Sequence, residues 1–237
     1  TTASDNTAVG YQSLASNTTG TRGVAVGALA LGANTTGNDN VAVGGGTSGV
    51  SFAALASNTT GAKNTAIGNS ALGANTTANN NTAVGYAALL DNTTGANNTA
   101  IGYAALDANT TANNNSALGY SALGSNTTGS NNVSMGQGSS GANTTGSNNT
   151  AIGTEALNNN TTASDNTAIG FESLKANSTG VDNVAVGSEA LESNTTASHN
   201  TAVGYRSLQQ NTTGAYNSGF GKYALQNNTT ASNNTAV

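Results

Sequence analysis

The sequence returns to the same five residues at a fixed step, and that step limits the fold more than anything else in it. The glycine that closes Asn149-Thr150-Ala151-Ile152-Gly153 recurs from Gly10 to Gly221, with eleven of the twelve intervals equal to 17 residues and one equal to 24. A second anchor, Asn-Thr-Thr, keeps the same step from Asn17 to Asn228 and changes only to Asn-Ser-Thr at Asn177. One unit reads N-T-A-[VI]-G-Y-x-[AS]-L-x-x-N-T-T-[GA]-x-x. At 237 residues, length alone would suggest one or two globular domains. A fixed period overrides that prior, because each unit packs mainly on its neighbours. The expectation is a single repeat domain over 1–237, cut from a longer repetitive polypeptide.

Composition then removes several functions. Five basic residues and a net charge of -5 offer no patch to neutralise a run of phosphates, so nucleic acid is not an expected partner. No stretch approaches the roughly 18 apolar residues of a membrane span, and no signal peptide is visible. The absence of cysteine rules out disulfides and thiolate metal sites. Only 6% of residues are charged, yet Val, Ile and Leu recur at fixed phases that stacking can bury, so disorder is not expected either.

No ten-residue window carries apolar residues at helical spacing, and Gly, Asn and Thr-Thr return too often for a helix interior. Thr65-Ala66-Ile67-Gly68 alternates as a strand does, and a second short strand is expected at Ala71-Leu72. Asn-Thr-Thr-Gly and the Asn before each strand are turn chemistry. Two strands and two turns in 17 residues make one coil of an all-β parallel β-solenoid of about thirteen coils, rising about 4.8 Å each and so roughly 60 Å in all. Equivalent positions then stack as ladders. The Val/Ile column, from Val9 to Phe220, is expected to point into the coil against the Leu column, Leu14 to Leu225, which only Ser140 interrupts. The Ala column, of opposite parity, is expected on the outer face. There Ala100, Ala151 and Ala168 would form a small-residue stripe for self-association as a homotrimer or head-to-tail filament. The Asn of both turns should form amide ladders bonded from coil to coil.

The strand motif, as in Asn149-Thr150-Ala151-Ile152-Gly153 or Asn183-Val184-Ala185-Val186-Gly187, resembles the N-S-V-A-I-G unit of trimeric autotransporter adhesin heads. The whole unit resembles repeats of phage tail-fibre and related surface-fibre proteins. The likeness spans essentially the entire chain. It implies a left-handed parallel β-roll, a trimer, and a place in an extracellular, cell-surface or virion fibre, with host-surface or polysaccharide ligands as candidate partners. The unit here is longer than the usual adhesin-head repeat and carries Thr where Val is commoner.

The 24-residue interval places a loop insertion near 45–51, read as a tolerated turn or as a contact loop. His199 is the single histidine, with no cysteine and no recognisable nucleophile context, so an enzyme is not expected. Catalytic, cofactor and metal residues are accordingly none. Glu155, Glu172 and Glu189 share a column that leads to Arg206, and Asp165, Asp182 and His199 share another. Both are read as solvated faces, with weak Ca²⁺ or Mg²⁺ binding by the Glu column as the alternative. Tyr86, Tyr103 and Tyr120 stack at a rim, as a stabilising strip or a sugar-binding one. Asn-x-Thr/Ser acceptors at Asn17, Asn34, Asn58, Asn75, Asn92, Asn109, Asn126, Asn143, Asn160, Asn177, Asn194, Asn211 and Asn228 allow a glycan coat in an exported filament. O-linked sugars on whichever threonine of each pair faces out are the second form of that coat, and an unmodified turn is the competing reading. An ice-binding solenoid should show Thr-x-Thr columns on one flat face, whereas the paired threonines here are adjacent. A polysaccharide-processing β-helix would need carboxylates in a cleft. The expected function is the shaft or head of a fibre.

Overall fold

The structure is a computed structural model that describes residues 2–47 and 52–237. It is an all-β parallel β-solenoid of about thirteen stacked coils, and the described residues contain no helix. The chain forms two compact units, Thr1–Leu118 and Gly119–Val237. Each coil contributes one three-residue strand. In the first unit these run from β1 (Thr7–Val9) to β7 (Ser116–Leu118), in the second from β8 (Val133–Met135) to β14 (Thr235–Ala236), shortened to two residues. Pairing within each unit is parallel and in register, so that Thr65 lies beside Thr82, Ala66 beside Ala83 and Ile67 beside Val84. The expected ladders are therefore real columns.

Their direction reverses the expectation. Ala66, Ala100, Ala151 and Ala168 are wholly buried, while Ile67 and Ile101 are 41% and 39% exposed. Within each strand the Thr and Val/Ile side chains point outward and the Ala between them points in. The reason is steric. In the second unit Leu157, Leu174, Leu191 and Leu208 pack in one core cluster with Ala151, Ala168, Ala185 and Ala202 of the strands and with Ala156 and Ala190. So thin a coil has room for one large side chain per turn, and the opposite wall keeps only a methyl group. The Ala stripe is the inner lining of the coil, and no contact between chains can use it.

The second expected strand is absent as well. Ala71-Leu72 lies in a turn, where Ser70 and Leu72 hold φ of 62° and 50°. A strand needs every residue extended, and here every second residue is left-handed. The backbone still ties the coils together, since Leu72 N–H donates to Ala88 O at 3.0 Å and Ala74 N–H to Leu90 O at 3.0 Å. A left-handed leucine costs roughly 1–2 kcal/mol, and complete burial of its side chain returns about 1.5–3 kcal/mol. Burial wins, which is why the strain recurs at each leucine of the column. At the strand end the glycine is obligatory: Gly153 has φ of 135°, and a Cβ there would land inside contact distance of Gly170 O.

Two asparagine ladders close the coil. In the ladder that begins at Asn17, Asn92 Nδ2 donates to Asn75 Oδ1 at 3.1 Å in the preceding coil and to Gly95 O at 2.9 Å in its own turn. In the ladder that begins at Asn6, Asn98 N–H donates to Asn81 Oδ1 at 2.8 Å, and its Nδ2 donates to Ala112 O at 2.8 Å in the following coil. Ala112 O also accepts from Asn109 Nδ2, so the two ladders meet on one carbonyl. The polar half of the coil interior is thus filled by amides that, apart from Asn200 Nδ2, satisfy one another and the turn backbone.

The expected loop at 45–51 falls partly on 48–51, which lie outside the described residues. On either side of them the coil is ordinary: Gly46 N–H donates to Ala28 O, and Ala54 N–H donates to Gly44 O, both at 3.0 Å.

Candidate functional surfaces

Each coil shows solvent three stretches of different chemistry. The first is the outer face of the strands. Its two columns hold Thr, Val or Ser on one side and Val, Ile, Leu, Met or Phe on the other, and neither column contains a charged residue among the described strands. Val9, Ile67, Leu118, Met135 and Phe220 are all well exposed. Within each unit these make a stripe of largely aliphatic side chains on a sheet face, unusual for a surface that meets only water.

The second stretch runs from the closing glycine to the asparagine turn and carries the long polar and aromatic side chains. In the second unit its acidic column is neutralised from within. Lys175 Nζ lies 2.6 Å from Glu155 and 2.7 Å from Glu172, bridging two coils. Arg206 Nε donates to Glu189 at 2.8 Å, and Gln209 Nε2 joins Glu189 to Glu192. Hydrogen bonds from Lys175 to Glu155 and Glu172 hold its ammonium well above the usual lysine value, and the Glu189 hydrogen bond raises Arg206 likewise. The carboxylates that looked available for a divalent cation already face a cation of the chain. Among the described residues no cluster of three or more His, Cys, Asp or Glu could hold a metal ion.

The tyrosines of this stretch are exposed, and two of them occupy each other. Tyr86 and Tyr103 stack with centroids 5.3 Å apart and planes 16° apart. A sugar needs the flat face of an aromatic ring, and here each of the two rings has one face covered by the other. In the second unit Tyr205 meets Tyr223 edge to face, with Arg206 and Lys222 over the rings.

The third stretch is the Asn-Thr-Thr turn and the residues that follow it. The candidate acceptors of the Asn17 column face inward: Asn34, Asn58, Asn75, Asn92, Asn109, Asn126, Asn143, Asn160, Asn177, Asn194 and Asn211 are buried, and Asn17 and Asn228 are half-buried. Asn160 Nδ2 directs both its hydrogens at carbonyl oxygens, those of Asn143 Oδ1 at 2.8 Å and Ala163 O at 2.9 Å, and Asn194 Nδ2 does the same with Asn177 Oδ1 and Ala197 O. An N-linked glycan on this column would have to break those bonds and open the coil. The adjacent threonines behave differently from each other, the first half-buried and hydrogen-bonded in most coils, the second exposed in all. Just after the turn lies a left-handed column in which charges alternate. Asp5, Arg22, Asp39 and Lys63 follow one another, and Arg22 forms a hydrogen-bonded ion pair with Asp39 that holds this carboxyl below the usual aspartate range. In the second unit the same column places His199 3.7 Å from Asp182 and stacks its ring on Tyr216 at 4.9 Å.

Sequence reasoning missed the outward aliphatic face because it assigned the larger apolar column to the core. The signal that reveals it is tolerance. The Val/Ile column accepts Leu118, Met135 and Phe220, which a packed interior would not, whereas the Ala column relaxes only to Ser134 and Gly219. No protein-family model, curated protein or solved structure matches the chain.

Proposed function

We propose that this chain is a structural segment, shaft or head, of an extracellular, cell-surface or virion fibre, acting through rigidity and self-association rather than catalysis. The observation that carries this reading is the uncharged, largely aliphatic face of the strands, repeated coil after coil while the left-handed column after the turn runs through Asp, Arg, Lys, Asn, His and Tyr. Burial against copies of the same chain removes that face from water, and the resemblance to adhesin heads and tail fibres favours three copies. Attachment to a host surface or polysaccharide would then belong to the fibre's exposed stretches.

Light scattering of the purified chain tests it. Wild type is expected at a multiple of 22.9 kDa. Replacing Ile67, Ile101, Ile152 and Ile169 with Lys is expected to give single chains with unchanged circular dichroism, because these side chains point away from the core. A wild-type chain that is monomeric at high concentration overturns the reading.

A second reading draws on the same face. Thr65 and Ile67 point outward together, and a flat Thr/Ile lattice is a surface on which ice can order. Leu118, Met135 and Phe220 break its regularity, so ice binding ranks below self-association. Thermal hysteresis from the single-chain species would reverse that order.

A further inference from the structure

The outward threonine of each Asn-Thr-Thr turn has no structural duty that accounts for its constancy. In all thirteen turns the second residue after the asparagine is Thr, and in all thirteen it is exposed. The first threonine of the pair does have a visible role. Thr35 Oγ1 donates to Thr59 O at 3.0 Å, Thr59 Oγ1 donates to Thr76 O at 3.0 Å, and Ser178 Oγ makes the equivalent bond at 3.0 Å where Thr is replaced. The hydroxyls of Thr36, Thr60, Thr94 and Thr145 point into solvent, and no protein group bonds to any of them.

Other outward columns accept exchange. The strand threonines give way to Val24, Val41, Val133 and Val184 and to Ser116 and Ser218. The left-handed column runs through Asp, Arg, Lys, Asn, His and Tyr. The second threonine lies in a bend rather than a strand, so β-propensity does not single it out. Serine or asparagine would solvate the turn as well, and valine would keep the branch. What survives in every coil is a secondary alcohol held in water.

We propose that these second threonines are acceptors for O-linked sugars, added by a glycosyltransferase that uses a nucleoside-diphosphate sugar. The threonine oxygen attacks the anomeric carbon and the bond from that carbon to the diphosphate oxygen breaks. The hydroxyl proton passes to a base of the transferase, and the nucleoside diphosphate departs. The folded coil is a competent substrate, since the hydroxyl is exposed and the following residues are small, as at Gly61-Ala62 or Gly129-Ser130. Successive acceptors stand one coil apart, about 4.8 Å, which leaves room for single sugars rather than branched chains. A column of sugars would supply the hydration that a chain with 6% charged residues otherwise lacks. These threonines lie on a different stretch of the coil from the aliphatic face, so their modification is independent of the fibre reading.

The test is intact-mass analysis of the natural polypeptide purified from the cells that make it, with electron-transfer fragmentation to place the additions. The expected result is a mass excess in steps of one monosaccharide, no more than thirteen over these coils, removable by alkaline β-elimination and confined to second threonines. Thr94→Val, Thr128→Val and Thr145→Val together should remove up to three steps without changing the circular dichroism. A bare mass overturns the proposal, as do sugars mapped to the first threonines or to the Asn17 column.

Discussion

Asn159 and Asn160 are neighbours of identical composition and opposite circumstance, and replacing each by alanine isolates what the buried amide ladder contributes. Asn159 is exposed, with no side-chain hydrogen bond. Asn160 is wholly buried, donates to Asn143 Oδ1 and Ala163 O, and accepts from Asn177 Nδ2 at 3.2 Å. In Asn160→Ala, Ala163 O keeps Asn149 Nδ2 at 2.9 Å, and Asn177 Nδ2 keeps Gly180 O at 2.9 Å. Asn143 Oδ1 is the acceptor left without that donor. One orphaned buried acceptor costs roughly 1–3 kcal/mol, and the lost net hydrogen bonding adds about 1. The expected destabilisation is about 2–4 kcal/mol, against about 0.5 or less for Asn159→Ala. Urea unfolding followed by far-ultraviolet circular dichroism measures both. Amide exchange should quicken in the coils of Asn143 and Asn177, because a solenoid transmits a defect to its nearest neighbours. Asn160→Asp supplies the control for shape: its second oxygen would face two acceptors, which raises the folded pKa of the new carboxyl. A raised carboxylate pKa penalises the fold above that value and ceases to do so below the unfolded one, so this variant should gain stability as pH falls. Equal effects of Asn159→Ala and Asn160→Ala would refute the claim that the ladder stabilises the coil.

Two further outcomes are expected. Leu157 is buried with φ of 53°, so Leu157→Ala should cost about 2–5 kcal/mol by cavity formation. Leu157→Gly should be no worse, reversing the usual order because glycine accepts the left-handed backbone; thermal melts that rank Gly well below Ala would contradict this. Burial pushes the Asp107 carboxyl up, with Asp91 adding repulsion and the N–H groups of Ala108 and Asp107 itself opposing. Asp107→Asn should therefore raise the melting temperature at neutral pH and have no such effect below the ordinary aspartate value of about 3.9, where both states are protonated.

The period, the coil and the amide ladders were legible in the sequence because stacking forces chemically equivalent positions into contact. A column that must bond to itself, such as Asn58, Asn75 and Asn92, has to repeat its residue. Parity was harder to read. Hydrophobicity alone sends Ile67 inward and leaves Ala66 outside, but the limiting quantity here is cross-section rather than apolarity. Strict smallness marks the inner wall, and variable bulk marks the outer one. The turn at Ala71-Leu72 had no signal at all, since leucine is rarely left-handed and only the depth of its burial explains it. Of the two sugar readings, Asn17-type acceptors looked stronger from the triplet alone. Which threonine of each pair faces water became visible only with the turn geometry.

The in-register columns also bear on how such a gene changes over time. Because most coils hand their neighbours the same carbonyls, the same asparagine and the same methyl, removing or duplicating one such 17-residue unit leaves each new junction chemically equivalent to the old. Recombination between such repeats at equivalent positions therefore conserves the fold, and coil number is free to vary without invention of any new contact. Most proteins are tuned by substitution; this one can be tuned by counting.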